Sequence, residues 1–103
     1  MELKDITERA LEIKARYTEL NIQKYGRDWS TEETAQGFVG DVGDLMKLVM
    51  AKSNIREITN VDTKLAHELS DCLWSVLVLA NEYNIDIEKN FLETMDLLEK
   101  KLA

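Results

Sequence analysis

Leu65-Ala66-His67-Glu68-Leu69-Ser70-Asp71-Cys72-Leu73-Trp74-Ser75-Val76-Leu77-Val78-Leu79-Ala80 is the stretch that decides the fold. It carries only two charged side chains, Glu68 and Asp71, with His67 beside them. On a helical wheel Leu65, Leu69, Leu73, Val76, Leu77, Leu79 and Ala80 cover most of the circumference. A helix apolar nearly all round is buried on most of its sides, so neighbours are required. The helix is expected over about residues 62–84, with Asn60 or Asp62 as its cap and Asn84 and Asp86 at its end.

The flanking sequence supplies those neighbours. Upstream, Ala35, Phe38, Val39, Val42, Leu45, Met46, Val49 and Met50 repeat at helical spacing and predict one broad apolar face. Ser30 followed by Glu33 is a capping box that opens this helix, and the pattern fades near Lys52. Earlier still, Leu3, Ile6, Ala10, Ile13, Tyr17 and Leu20 form a stripe over about residues 2–24, with Gly26 as its C-cap. Downstream, Asp86 caps a fourth helix whose Phe91, Met95, Leu98 and Leu102 are expected to face inward. The absence of proline and the presence of only four glycines agree with long uninterrupted helices. The expectation is one all-α domain over residues 1–103, a four-helix antiparallel bundle-like protomer joined by short connections.

Composition narrows the function. The net charge of −7 speaks against nucleic acid as a partner, because such binders need a basic surface to displace counterions. Any phosphate-bearing ligand would need a cation first. Cys72 is the only cysteine, which rules out an intrachain disulfide and a cysteine-rich zinc site. It lies in an apolar run and is expected to pack as a small hydrophobe. The opening MELKDITERAL has acids from its second position, so no signal peptide is expected. No apolar run approaches the roughly 18 residues of a membrane span. The default location is the reduced cytoplasm, with no membrane partner.

Two acid pairs carry the chemistry: Asp41 with Asp44, and Glu68 with Asp71. Residues three apart share one side of a helix, so each pair aims two carboxylates at a common point. Two such helices side by side could focus four carboxylates on one place, an arrangement that needs a cation to be stable. Hard oxygen donors without histidine or cysteine suit magnesium, or manganese, rather than zinc. Acids are abundant here, and a solvated face explains Asp41 and Asp44 as readily. It explains Glu68 and Asp71 less well, since apolar residues flank them on both sides of the wheel. Gly43, inside a helix, points to close approach by a neighbouring helix or ligand.

The strings around these acids resemble a known family. Phe38-Val39-Gly40-Asp41-Val42-Gly43-Asp44-Leu45 is similar to the first acid-bearing helix of MazG-like nucleotide pyrophosphohydrolases, with aspartates where that family usually has glutamates. His67-Glu68-Leu69-Ser70-Asp71-Cys72-Leu73-Trp74 resembles its second acid-bearing helix. Leu79-Ala80-Asn81 and Ile85-Asp86-Ile87-Glu88 resemble the turn into its last helix, and Arg27-Asp28-Trp29 resembles the dCTP-pyrophosphatase branch. The likeness covers about residues 25–96.

That resemblance implies magnesium-dependent cleavage between the α- and β-phosphates of a nucleoside triphosphate, giving the monophosphate and pyrophosphate. Asp41, Asp44, Glu68 and Asp71 would be metal ligands, with Asp41 or Asp44 positioning or deprotonating the attacking water. Lys52 matches a family lysine that reaches phosphate. Trp29 could stack on a base or seal the end of the bundle, and Asn81 could line the site. Assembly as a homodimer or homotetramer is implied as well. Position 51 is alanine and position 75 serine where that branch tends to place aromatics, and the last helix lacks its asparagine and arginine. Those departures keep a second reading open: a non-catalytic MazG-like helical oligomer that binds nucleotide or a protein partner.

Overall fold

Local signals in the sequence set the ends of the helices. In the computed structural model, which describes residues 1–103, α1 spans Leu3–Tyr25, α2 Thr31–Lys52, α3 Val61–Glu82 and α4 Ile87–Leu102. Gly26 ends α1 in the left-handed region at φ 77°, and its N–H donates to Ile22 O at 2.9 Å. Only glycine adopts that conformation without a Cβ penalty. At the start of α2 the capping box is present in both directions: Glu33 N–H donates to Ser30 Oγ at 3.2 Å, and Ser30 N–H to Glu33 Oε1 at 3.0 Å. Asp86 accepts from Lys89 N–H at 3.1 Å and caps α4.

The start of α3 falls at Asn60, one of the two expected caps, but without a side-chain bond. Asn60 holds the cap position in the left-handed region at φ 55°. Asp62 lies inside the helix and its carboxylate takes the Lys52 ammonium at 2.7 Å. A left-handed turn replaces side-chain capping as the device that redirects the chain.

The core lies where α3 packs against α2 and, less extensively, against α1. Ala10, Leu48, Leu77, Val78 and Ala80 are buried there, with Thr34 and Ser75 as buried polar residues. Trp74 ties α3 to α1, its Nε1–H donating to Ala10 O at 3.1 Å and its ring meeting Tyr17 edge-on. Much of the apolar surface anticipated as core is open in the single chain. Leu69 and Leu73 on α3, and Val39, Val42, Met46 and Val49 on α2, are exposed. Helix phase groups these residues on one face, but α2 and α3 cover only part of each other's circumference.

The fourth helix departs furthest. Phe91, Met95, Leu98 and Leu102, expected to face inward, are all exposed, and α4 has no buried residue. The turn through Asn84, at φ 55°, sends α4 away from the other three. The radius of gyration is 16.5 Å, against about 13 Å for a compact domain of this length. The chain is therefore all-α with four helices, and its fourth helix is uncovered within the protomer.

Candidate metal centre

The i,i+3 spacing on α2 and α3 does bring acids together. One oxygen from each of Asp41, Asp44 and Glu68 lies within 4.8 Å of the others. Asp71 adjoins the group, and its charge acts on both Asp41 and Glu68. Its Oδ2 stands 3.2 Å from His67 Nε2, one turn away on the same helix. Asp44 is the most open of the three, and Lys47 reaches it only at 3.9 Å.

The cluster is electrostatically unfinished. Burial pushes the Asp41 carboxyl above its usual range, and the charges of Asp71 and Asp44 push it further. Glu68 is raised for the same reasons: burial first, then Asp71, Asp41 and Asp44. Glu68 Oε2 is buried with no hydrogen-bond partner. A buried carboxylate oxygen without a donor is costly, and no protein cation is aimed at it. A divalent cation would supply the missing charge, and an all-oxygen donor set suits a hard one. The residues fit a metal ion. Cys72 stands aside: burial and the same acids raise its thiol, which stays protonated and inert.

Gly43 does not serve the close approach expected of it. A Cβ there would meet no atom within 4 Å. Gly37 is the glycine at a contact, since a Cβ on it would sit 3.3 Å from Trp29 Cζ3.

Beside the acids is a cavity of ≈ 780 Å³, within the usual range for small-molecule sites. Asp41, His67 and Asp71 line one part of it, and Trp29 and Trp74 supply aromatic walls. Two residues singled out in the sequence are elsewhere. Lys52 is paired with Asp62 outside the cavity. Asn81 lines a separate cavity of ≈ 230 Å³ between the start of α1 and the end of α3.

Sequence reasoning missed the contribution of α1. Asp28 collects Lys14 Nζ at 3.1 Å, Thr18 Oγ1 at 2.8 Å and Asn21 Nδ2 at 3.2 Å. Burial alone would raise this carboxyl. The bonds from Thr18, Asn21, Lys14 and the Trp29 backbone outweigh it and hold the group at about 2. The adjoining Arg27 guanidinium grips Glu33 through two bonds, at 2.7 and 3.1 Å. Together these contacts anchor Trp29 at the cavity. Lys14, Thr18 and Asn21 do form a polar stripe on α1, and that spacing was the available signal.

No curated protein and no solved structure matches the chain. The sequence description of the MazG nucleotide pyrophosphohydrolase domain matches residues 29–101, which hold both acid-bearing helices and leave α1 outside. With most of its length matched, the chain belongs to the MazG nucleotide pyrophosphohydrolase family.

Proposed function

We propose that this protein is a magnesium-dependent nucleoside triphosphate pyrophosphohydrolase, releasing a nucleoside monophosphate and pyrophosphate. The observation that carries the proposal is the convergence of Asp41, Asp44 and Glu68, with Glu68 Oε2 buried and unpartnered, on the edge of a nucleotide-sized cavity. Asp41, Asp44, Glu68 and Asp71 are the residues to hold magnesium, or manganese. Bound there, the ion would neutralise phosphate charge and stabilise the leaving pyrophosphate.

The chain's own residues do the rest. Asp41 or Asp44 orients the attacking water and accepts its proton, using a lone pair free of metal. Trp29 offers its half-exposed indole to the base. Lys52 would have to exchange Asp62 for a phosphate oxygen, and Asn81, in the other cavity, has no part in this scheme. The exposed Phe91, Met95 and Leu98 favour a homodimer or homotetramer, in which a second copy covers them. Residues 1–103 would act as one domain in each subunit. No helix is long and apolar enough to cross a membrane, and the net charge of −7 disfavours nucleic acid. A cytoplasmic location belongs to the same proposal.

The test is pyrophosphate release from a panel of canonical and damaged nucleoside triphosphates, with and without magnesium. Release is expected only with the metal, and Glu68→Gln is expected to lower it by roughly 100-fold or more. Nucleotide binding without release from any member of the panel would reject catalysis in favour of a binding protein.

A further inference from the structure

The cavity has a floor that the metal centre does not use. The bond from Trp74 Nε1–H to Ala10 O sets the register of α1 against α3. Lys14, one turn beyond Ala10, and Ser75, next after Trp74, consequently line the same cavity. Ser75 is only 3% exposed, and its hydroxyl joins none of the hydrogen bonds within the chain. The hydroxyl opens on the cavity and is free to bond a ligand there.

Lys14 is in a related position. Its side chain is 16% exposed, and its ammonium carries three donors. Asp28 Oδ2 at 3.1 Å and Thr18 Oγ1 at 3.4 Å engage two of them. Asp28 is an ionised acceptor already shared with Thr18 and Asn21, and it holds the ammonium in place. One Lys14 donor remains for an acceptor in the cavity. The ligand's phosphates are drawn to the other part, where Asp41 and Asp71 attract the cation they need. What meets the floor is then the base.

We infer that Lys14 and Ser75 select the nucleobase by a ring carbonyl, so that uracil, thymine, cytosine and guanine are accepted and adenine, which has none, is disfavoured. This rests on the nucleotide reading of the cavity. Lys14 lies outside the stretch matched by the family description, and Ser75 within it.

Product binding tests it independently of turnover. The affinities of dUMP, dCMP, dGMP and dAMP, with magnesium present, are read from tryptophan fluorescence, since Trp29 and Trp74 both line the cavity. In the wild-type protein dAMP is expected to bind roughly 10-fold more weakly than the other three, the value of one charge-assisted hydrogen bond. Lys14→Met should bring the other three down to the level of dAMP, with a smaller loss in Ser75→Ala. Equal binding of all four by the wild type overturns the inference. So does a Lys14→Met loss that is uniform across bases and extends to inorganic pyrophosphate, which would make Lys14 a phosphate ligand. Should circular dichroism show Lys14→Met unfolded, the wild-type ranking and Ser75→Ala decide. The same preparations are assayed for triphosphate cleavage. Base selectivity without cleavage leaves this inference standing and rejects the enzyme; cleavage without selectivity does the reverse.

Discussion

Asp28 and Glu68 are both partly buried acids, and the chain treats them in opposite ways. Asp28 sits where α1 turns into α2, and Lys14, Thr18 and Asn21 all donate to it. Its carboxyl is held at about 2. Glu68 sits where α2 meets α3, with one oxygen buried and unpartnered, and Asp71, Asp41 and Asp44 around it. Its carboxyl is pushed up. The first acid has been completed by the protein and serves the structure. The second has been left incomplete, and the proposed cation from outside would complete it. What separates the two acids is their supply of donors more than their burial.

Turnover should divide the two regions most widely. Glu68→Gln removes a proposed ligand and should cost roughly 100-fold or more. Asp28→Asn leaves the acids untouched and should retain metal-dependent cleavage. Stability should divide them in the opposite sense. Asp28→Asn swaps one acceptor oxygen for a donor among Lys14, Thr18 and Asn21, and should destabilise by roughly 2 kcal/mol. Glu68→Gln in metal-free protein relieves like-charge repulsion and should be neutral or stabilising. Urea unfolding of both variants in chelator measures this. An Asp28→Asn protein as stable as the wild type would break the contrast.

The same two regions show what a sequence reveals. The gathering of Asp41, Asp44 and Glu68 was legible because i,i+3 spacing is a local rule, and so were Gly26 and the Ser30–Glu33 box. The Asp28 hub was not, because it depends on a turn bringing residue 28 back to residues 14, 18 and 21. Asn81 shows another limit. It is ten residues beyond Asp71 on the same helix, about 15 Å along the axis, and lines a different cavity. Phe91, Met95, Leu98 and Leu102 show a third. Periodicity identifies an apolar face but does not say whether the same chain or another covers it. Residue type marks Asn60 or Asp62 as the cap of α3, and Asn60 fills that place through its left-handed backbone, with no side-chain bond.

Metal addition sharpens the contrast at intermediate scale. A ligand that binds only the folded state stabilises it by mass action. At ten times its dissociation constant, magnesium should add about 1.4 kcal/mol, or roughly 6–10 °C in a domain of this size. The shift should be present in wild type and in Asp28→Asn, and lost in Glu68→Gln. A shift surviving in Glu68→Gln would move the cation away from the acids of α2 and α3.

The smallest effect expected is in the pH dependence, and its sign differs between the regions. Asp28 and Glu33 are lowered to about 2 from ordinary values of 3.8 and 4.5. Their stabilisation is fully present above those ordinary values and is lost as the pH falls toward 2. Asp41 and Glu68 are raised, so the folded state binds their protons more tightly than the unfolded one. Their contribution is complete below the ordinary values and disappears as the pH rises through the raised ones. Metal-free protein should therefore be most stable in mild acid, just above the range where the Asp28 and Glu33 bonds begin to fail. Magnesium bound as proposed would do the work of those protons at neutral pH, so the advantage of mild acid should vanish when it is present. Melting temperatures from pH 3 to 8, in chelator and in magnesium, would show it. A chelator curve that only falls between pH 8 and 4 would mean that the acids of α2 and α3 do not repel one another in the folded protein.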